Sequence, residues 1–502
     1  MRNCLLYIFL FTIIISAQIS AQKDSVKIKS QSSGFFSLNE LRNQLDDTFA
    51  DPNFNNAVWG VFVKSLKTGD VIYKKNQDKL FIPASLMKLF TSASSLLLLG
   101  SDFSYQTDIY SDGVIENGIL KGNLIIRGSG DPTISGRFTE KENEQIFNDW
   151  ADTLLNKGIK IIEGNIIGDD NIFDDLGLGN GWSWDLQNKW FAAPSGALSF
   201  NENLIEITVA PSKINFPADL SFSPSTRLFS FANKIITVED GYNEDIEIYK
   251  KPGSEIFTLV GTIKENSNPV KVFAPVDNPT QFSVSVFKDI LESKGIVLDG
   301  YPADIDEINI ELNYREYELL FSHISYSMKD IIYELNKKSN NFYAEQLLKT
   351  LGHEIYNYGT TENGVKACKE LFKVMGINPE NMVYADASGL SRLNLITPKQ
   401  VVNLLEYMYK SDEFNSFYES LPIAGMDGTL AARMKKTKAE GKVRAKPGLL
   451  SGVRALAGYL KTADNEPFAF SIIVNNYLVP SNLANYIQDL VCLKLVNFSR
   501  SQ

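Results

Sequence analysis

Histidine and cysteine are scarce in this 502-residue chain, with two of the former and three of the latter. His323 and His353 stand in no HExxH or other ligand spacing, so a zinc site and a Ser-His-Asp triad both lack their usual residues. No metal or other cofactor is expected, and any nucleophile must find a different base. Basic residues are also few beside acidic ones, 49 Lys and Arg against 60 Asp and Glu for a net charge of −11. That balance excludes the basic footprint on which nucleic-acid binding depends. Beyond the first twenty residues no apolar run approaches the roughly 20 residues of a membrane span. What is present, 44% hydrophobic and 22% charged residues, is ordinary globular composition, and the length predicts two to four domains.

The first segment carries an address. Arg2, an apolar run over 5–15 and small or polar residues through Ala21 and Gln22 match a secretory signal, assigned to 1–22 and removed on export. Residues 23–36, rich in Lys, Ser and Gln, read as a linker. The mature chain is therefore expected in the periplasm or otherwise exported, without a transmembrane domain. Cys4 leaves with the signal. Cys368 and Cys492 remain, and two readings stand: a disulfide of an oxidising compartment, or two buried thiols.

Patterning divides the rest into thirds. A hairpin is predicted over 57–63 and 71–73 around the turn residues Lys67-Thr68-Gly69-Asp70. Pro83 opens a helix with Leu86, Leu89, Phe90, Ala93 and Leu97 at helical spacing and Gly100 as its stop. From about 104 to 310, short strand-like runs at 122–127, 159–168, 204–210 and 257–263 alternate with turn residues, with one clear helix near 281–294. Helices follow at 328–351, 364–375 and 398–409, then strands at 443–450, 454–461 and 467–476, and a last helix at 483–498. Strands at both ends with helices between them predict one α+β domain, its sheet completed by both termini, that carries a large β-rich insertion.

Within that map, Ser85-Leu86-Met87-Lys88 sets a serine and a lysine three apart at a helix start. A desolvated lysine near another cation can be neutral enough to take the serine proton. The S-x-x-K pattern alone is weak, since Ser20 and Ser285 also carry it. Ser339-Asn340-Asn341 supplies a second hydroxyl and an amide, although Ser and Asn also suit a helix cap, and 37–39 and 199–201 share the spacing. Lys446-Pro447-Gly448 follows on the strand predicted at 443–450. Lys67-Thr68-Gly69 and Lys251-Pro252-Gly253 are set aside as turns.

S-x-x-K, S-D-N and K-T-G in that order form the signature of penicillin-binding proteins and class A β-lactamases, here with S-N-N and K-P-G as variants. Pro83-Ala84-Ser85, Gly130-Asp131-Pro132, Gly181-Trp182-Ser183-Trp184-Asp185, Ser388-Gly389-Leu390-Ser391-Arg392 and Ala424-Gly425-Met426-Asp427-Gly428-Thr429-Leu430 sharpen the match. Across nearly the whole mature chain the sequence resembles the class C low-molecular-mass penicillin-binding proteins, serine D-Ala-D-Ala carboxypeptidase/endopeptidases of peptidoglycan remodelling. The resemblance implies a penicilloyl-serine transpeptidase/β-lactamase-like domain from 37–100 and 310–502. It also implies an inserted domain from 101–200 and 275–309, and a nested third domain at 201–274. It implies peptidoglycan peptides as substrate and β-lactam antibiotics as acylating inhibitors. Carried over residue by residue, Ser85 is the acylated nucleophile and Lys88 its base, while Ser339 and Asn341 handle the proton and orient the substrate. Lys446 supplies positive potential. The N–H groups of Ser85 and Leu449 form the oxyanion hole beside Gly448, and Asp185 and Arg392 line the pocket for the diaminopimelate side chain.

The departure lies at Pro447 and Leu449, where the family usually carries hydroxyls that hold the terminal carboxylate. Proline is compatible with the strand if residues 447 and 449 turn their backbone to the cleft. A non-catalytic or weakly active envelope protein of the same fold is the competing reading.

Overall fold

A computed structural model describes residues 37–138 and 142–500; the signal and linker expected over 1–36 lie outside the described residues. The strand Val58–Ser65 pairs on one side with Val71–Lys75 and on the other with Pro467–Asn475. Val453–Lys461 and Val443–Leu450 then complete an antiparallel five-stranded sheet. Both chain ends thus build one sheet, as the strand pattern predicts.

The sheet is covered on both faces, which is why Pro467–Asn475 reads as a nearly continuous apolar run with only its first residue less than buried. On one face Leu456, Phe470 and Val474 pack against Leu41 and Leu45 of the helix Leu38–Phe49 and Val491 of the C-terminal helix Ser481–Asn497. On the other face Ala455, Ala457 and Ile473 meet a helical layer. That layer holds Met87–Leu99, Met328–Lys338, Asn341–Tyr356, Thr361–Val374 and Pro398–Tyr409. Cys368 and Cys492 are both buried free thiols, one in each layer, so the disulfide reading falls.

Between the two halves of this body the described residues form four further sheets. Six strands between Leu204 and Pro275 make two of them, each of three strands. The helix Pro279–Ser293 is present as expected. It is not the only one there, because Gln145–Asn156 is also helical, with Ile146, Phe147, Trp150, Ala151 and Leu154 buried along one face. Beyond the expected boundary at 310, where the pattern predicts helices, Glu318–Ile324 is a strand and pairs with Gln106–Ser111. The outgoing and returning legs of the insertion are therefore zipped together up to Ile324.

A single helix expected over 328–351 is broken. Ser339 sits in the left-handed region at φ 61°, ψ 41°, ending one helix, and Asn340 caps the next by accepting from Tyr343 N. The break falls on the Ser-Asn-Asn triplet. Among the described residues no helix is long and apolar enough to cross a membrane.

Candidate active site

Three segments converge on Ser85. The first is a 3-10 turn, Ala84–Leu86, which runs into the helix Met87–Leu99 and leaves Ser85 half-buried at the turn. Two glycines let the other segments close on it. A Cβ on Gly389 would lie 1.9 Å from the Ala84 carbonyl oxygen, and one on Gly448 would lie 2.8 Å from that of Pro83. The Ser388-Gly389-Leu390 loop and the edge strand Val443–Leu450 could not approach the Ser85 turn so closely with any larger residue at these two positions.

Lys88 is fully buried beneath the serine. Its Nζ lies 3.2 Å from Ser85 Oγ, 2.6 Å from Asn341 Oδ1 and 2.5 Å from the Ser388 carbonyl oxygen. Burial pushes the amine down to about 8, against an opposing pull from Asp386 and Glu345. Lys446, also fully buried, donates to Ser339 Oγ at 2.7 Å and to the Pro447 carbonyl at 3.0 Å. Burial, and then the charge of Lys88, push Lys446 well below the ordinary lysine range. Asn341 donates its Nδ2 to the Phe191 carbonyl at 2.7 Å, which ties the helix start to the loop at 181–192.

The edge strand keeps Pro447 within its ladder opposite Leu456. Ala445 N–H donates outward to the Pro422 carbonyl, so by the period of two the backbone of 447 and 449 also turns away from the neighbouring strand. No ladder bond is lost to the proline. The outward Pro447 carbonyl is the one that Lys446 reaches. Leu449 is 61% exposed and stands in the cleft wall, while Gly448 is buried.

A cleft of about 1200 Å³ runs from Ser85, Ser339 and Asn341 past Leu449 to Asp185 and Arg392. Both of these charged residues are exposed. Arg392 donates to the Ser451 carbonyl at 2.9 Å, and no ion pair joins it to Asp185 among the described residues.

Two buried carboxylates behind Lys88 went unassigned at the level of sequence. Asp386 accepts from Trp182 Nε1, Gly389 N, Ser391 N, Asn394 Nδ2 and Ser388 Oγ, which fixes the loop that presents the Ser388 carbonyl. Glu345 accepts from Ser388 N and Ala387 N. The available signal for Glu345 was its spacing, four residues after Asn341 on the same helical face.

A helix-covered antiparallel sheet with Ser85 and Lys88 at a helix start, a hydroxyl between two helices and a lysine on the edge strand defines the penicilloyl-serine transpeptidase and β-lactamase class. Within it the chain belongs to the D-Ala-D-Ala carboxypeptidase 3 (S13) family, whose sequence profile matches residues 41–494. It is 31% identical to the D-alanyl-D-alanine carboxypeptidase of Actinomadura sp. (strain R39), over 93% of this chain and 86% of that one. It is 28% identical to the D-alanyl-D-alanine carboxypeptidase DacB of Haemophilus influenzae, over 83% and 85% of the two chains. The crystal structure of penicillin binding protein 4 from Haemophilus influenzae superposes with a TM-score of 0.76 at 25% identity, covering 89% of this chain and 98% of that one.

Proposed function

We propose that the protein is an exported serine D-Ala-D-Ala carboxypeptidase and D,D-endopeptidase that cleaves peptidoglycan stem peptides through an acyl-enzyme on Ser85. The observation that carries this reading is the set of three partners around Lys88 Nζ. A neutral amine has two N–H donors and one lone pair. The Asn341 and Ser388 carbonyl oxygens can only accept. They take both N–H groups, and the lone pair is left facing the Ser85 hydroxyl.

In this reading Ser85 Oγ attacks the carbonyl carbon of the penultimate D-Ala as its proton passes to Lys88. The N–H groups of Ser85 and Leu449 receive the oxyanion. Ser339, bonded to Lys446, returns a proton to the leaving amine. That amine belongs to the terminal D-Ala in the carboxypeptidase reaction and to a neighbouring stem in the endopeptidase reaction. Water then cleaves the ester with Lys88 as base again. Burial lowers both lysines, and the charge of Lys88 adds to the lowering of Lys446, so each amine gives up a proton more easily than an ordinary lysine.

Asp185 and Arg392, opposite charges in one cleft, suit the amino and carboxylate groups at the end of a diaminopimelate side chain. β-Lactams would acylate the same serine, in keeping with the Haemophilus influenzae neighbour, which has also been solved in complex with a β-lactam. A periplasmic or otherwise exported location fits such a substrate and the signal-like first segment.

Intact-mass spectrometry after exposure to penicillin tests the reading. One adduct is expected on the wild type and none on Ser85→Ala. A folded wild type without an adduct, or an adduct mapped to Ser285 on the helix Pro279–Ser293, overturns it.

A further inference from the structure

The helix that begins at Asn341 carries a second polar group toward the nucleophile one turn later. Glu345 is 4% exposed. Its Oε1 accepts from Ser388 N at 2.8 Å and its Oε2 from Ala387 N at 3.3 Å, so both oxygens grip successive peptides of one loop. The carbonyl of that same Ser388 holds the Lys88 amine. No cation forms an ion pair with Glu345 among the described residues. The groups facing it are Lys88 from the nucleophile helix, with Lys446 behind it on the edge strand, and Asp386 and Tyr384 from the loop. On its own helix, Lys349 is engaged elsewhere, by Asp174.

We propose that Glu345 is a positioning residue for acylation: as a carboxylate it pins Ser388, whose carbonyl seats the Lys88 amine against Ser85, and its charge governs how readily that amine gives up its proton. The proposal rests on Lys88 being the base. A protonated carboxyl has an O–H where one of the two peptide N–H groups needs an acceptor, so the grip requires the ionised form. Acylation then needs Lys88 neutral and Glu345 ionised together. Burial, with Asp386 adding to it, raises Glu345 to about 7, close to the value near 8 for Lys88. Below both values each group takes a proton, and the logarithm of the acylation rate should fall with a slope approaching two.

Glu345→Gln removes the charge and offers the two N–H groups one carbonyl oxygen and one NH₂. Its acylation plateau should drop about tenfold, the cost of one hydrogen bond to a charged acceptor. Without the neighbouring negative charge Lys88 loses its proton more easily, so the remaining acid limb should move down by about one pH unit. The slope of that limb should fall to one. Glu345→Asp, which keeps the charge, should leave the limb near its wild-type position.

The experiment measures penicillin acylation rates from pH 5 to 10 for wild type and both variants, beside an NMR titration of the lysine Nζ groups. A lowered plateau with both the limb and the Lys88 titration unmoved would make Glu345 a packing residue and overturn the proposal. If Glu345→Gln does not fold, the wild type decides alone, and a one-proton limb down to pH 5 overturns it. A wild type that never forms an adduct overturns the acyl-enzyme reading instead. The Lys88 titration in wild type and variant, lower in Glu345→Gln or unchanged, then settles the role of Glu345 separately.

Discussion

Lysines buried in two regions, on the floor of the cleft and at the junctions beside it, meet different partners. At the junctions, Lys349 meets Asp174 at 2.6 Å and also donates to the Asp174 and Leu176 carbonyls, while Lys337 meets Asp427 at 2.6 Å and donates to the Leu421 carbonyl. On the floor, Lys88 and Lys446 contact only neutral oxygens of Ser85, Asn341, Ser388, Ser339 and Pro447. A buried ammonium beside a carboxylate has an opposite charge to pair with and ties two segments together. One surrounded by carbonyls and hydroxyls bears the desolvation cost with less return, and that is the condition under which a lysine can act as a base at ordinary pH.

The hardest test of this contrast is Lys88→Arg, which keeps the charge and cannot release it. Penicillin acylation should fall by about 10³-fold or more, within the range of a lost general base, while the melting transition stays cooperative. Wild-type labelling kinetics should rise with pH through about 8, where Lys88 sheds its proton. Labelling by Lys88→Arg at near the wild-type rate would remove Lys88 from the mechanism and with it the distinction between the two regions.

Stability should separate the regions next. Lys349→Met strands the Asp174 carboxylate and should cost about 3–5 kcal/mol, as broken buried pairs do. Lys88→Met should instead melt above the wild type at pH 7. The sign follows from linkage: the folded state holds Lys88 at about 8 against 10.5 for an ordinary lysine, so the unfolded chain binds more protons between those values. The buried lysine therefore costs stability below about pH 8. The gain should shrink as pH rises toward 10.5. It is bounded by about 3 kcal/mol for a shift of this size, less what the three lost hydrogen bonds contributed. Thermal melts of both variants across that range check it, and a destabilised Lys88→Met would place Lys88 among the structural lysines.

Much of the floor was legible because its residues are adjacent in sequence or stand in known order. Ser85 and Lys88 share a helical turn, and Lys446-Pro447-Gly448 on the strand at 443–450 follows the other two motifs in the expected order. The break at Ser339 was half legible: Ser and Asn suggested a helix cap there, but the flanking residues keep helical spacing on both sides, and only a left-handed residue at 339 separates them. The helix Gln145–Asn156 was missed among strand-like neighbours, although its apolar face is regular. Glu345 and Asp386 could not be assigned from composition. Their meaning lies in a contact between a helix and a loop some forty residues apart, which appears only when the loop folds under Lys88. The pairing of Glu318–Ile324 with Gln106–Ser111 was likewise invisible, because it joins strands about two hundred residues apart.

The smallest expected effect concerns the wall above this floor. Pro447 and Leu449 stand where hydroxyls would hold a substrate carboxylate, and the edge strand accommodates the proline without losing a ladder bond. In the proposed reading the chemistry of the two lysines is thereby left intact while recognition at the rim is reduced. A free terminal D-Ala carboxylate depends most on that rim. A cross-linked dimer adds contacts along its second stem, with Asp185 and Arg392 available in the same cleft. Each missing hydrogen bond to a charged group is worth about 1.5–3 kcal/mol, so the wild type should trim pentapeptides weakly and cleave dimers comparatively well. Pro447→Thr should raise pentapeptide trimming about tenfold and dimer cleavage by less, with β-lactam acylation of Ser85 retained. Chromatography of purified muropeptides after digestion measures both activities. Efficient trimming by the wild type, unchanged in Pro447→Thr, would mean that the outward backbone of 447 and 449 already suffices to hold the carboxylate.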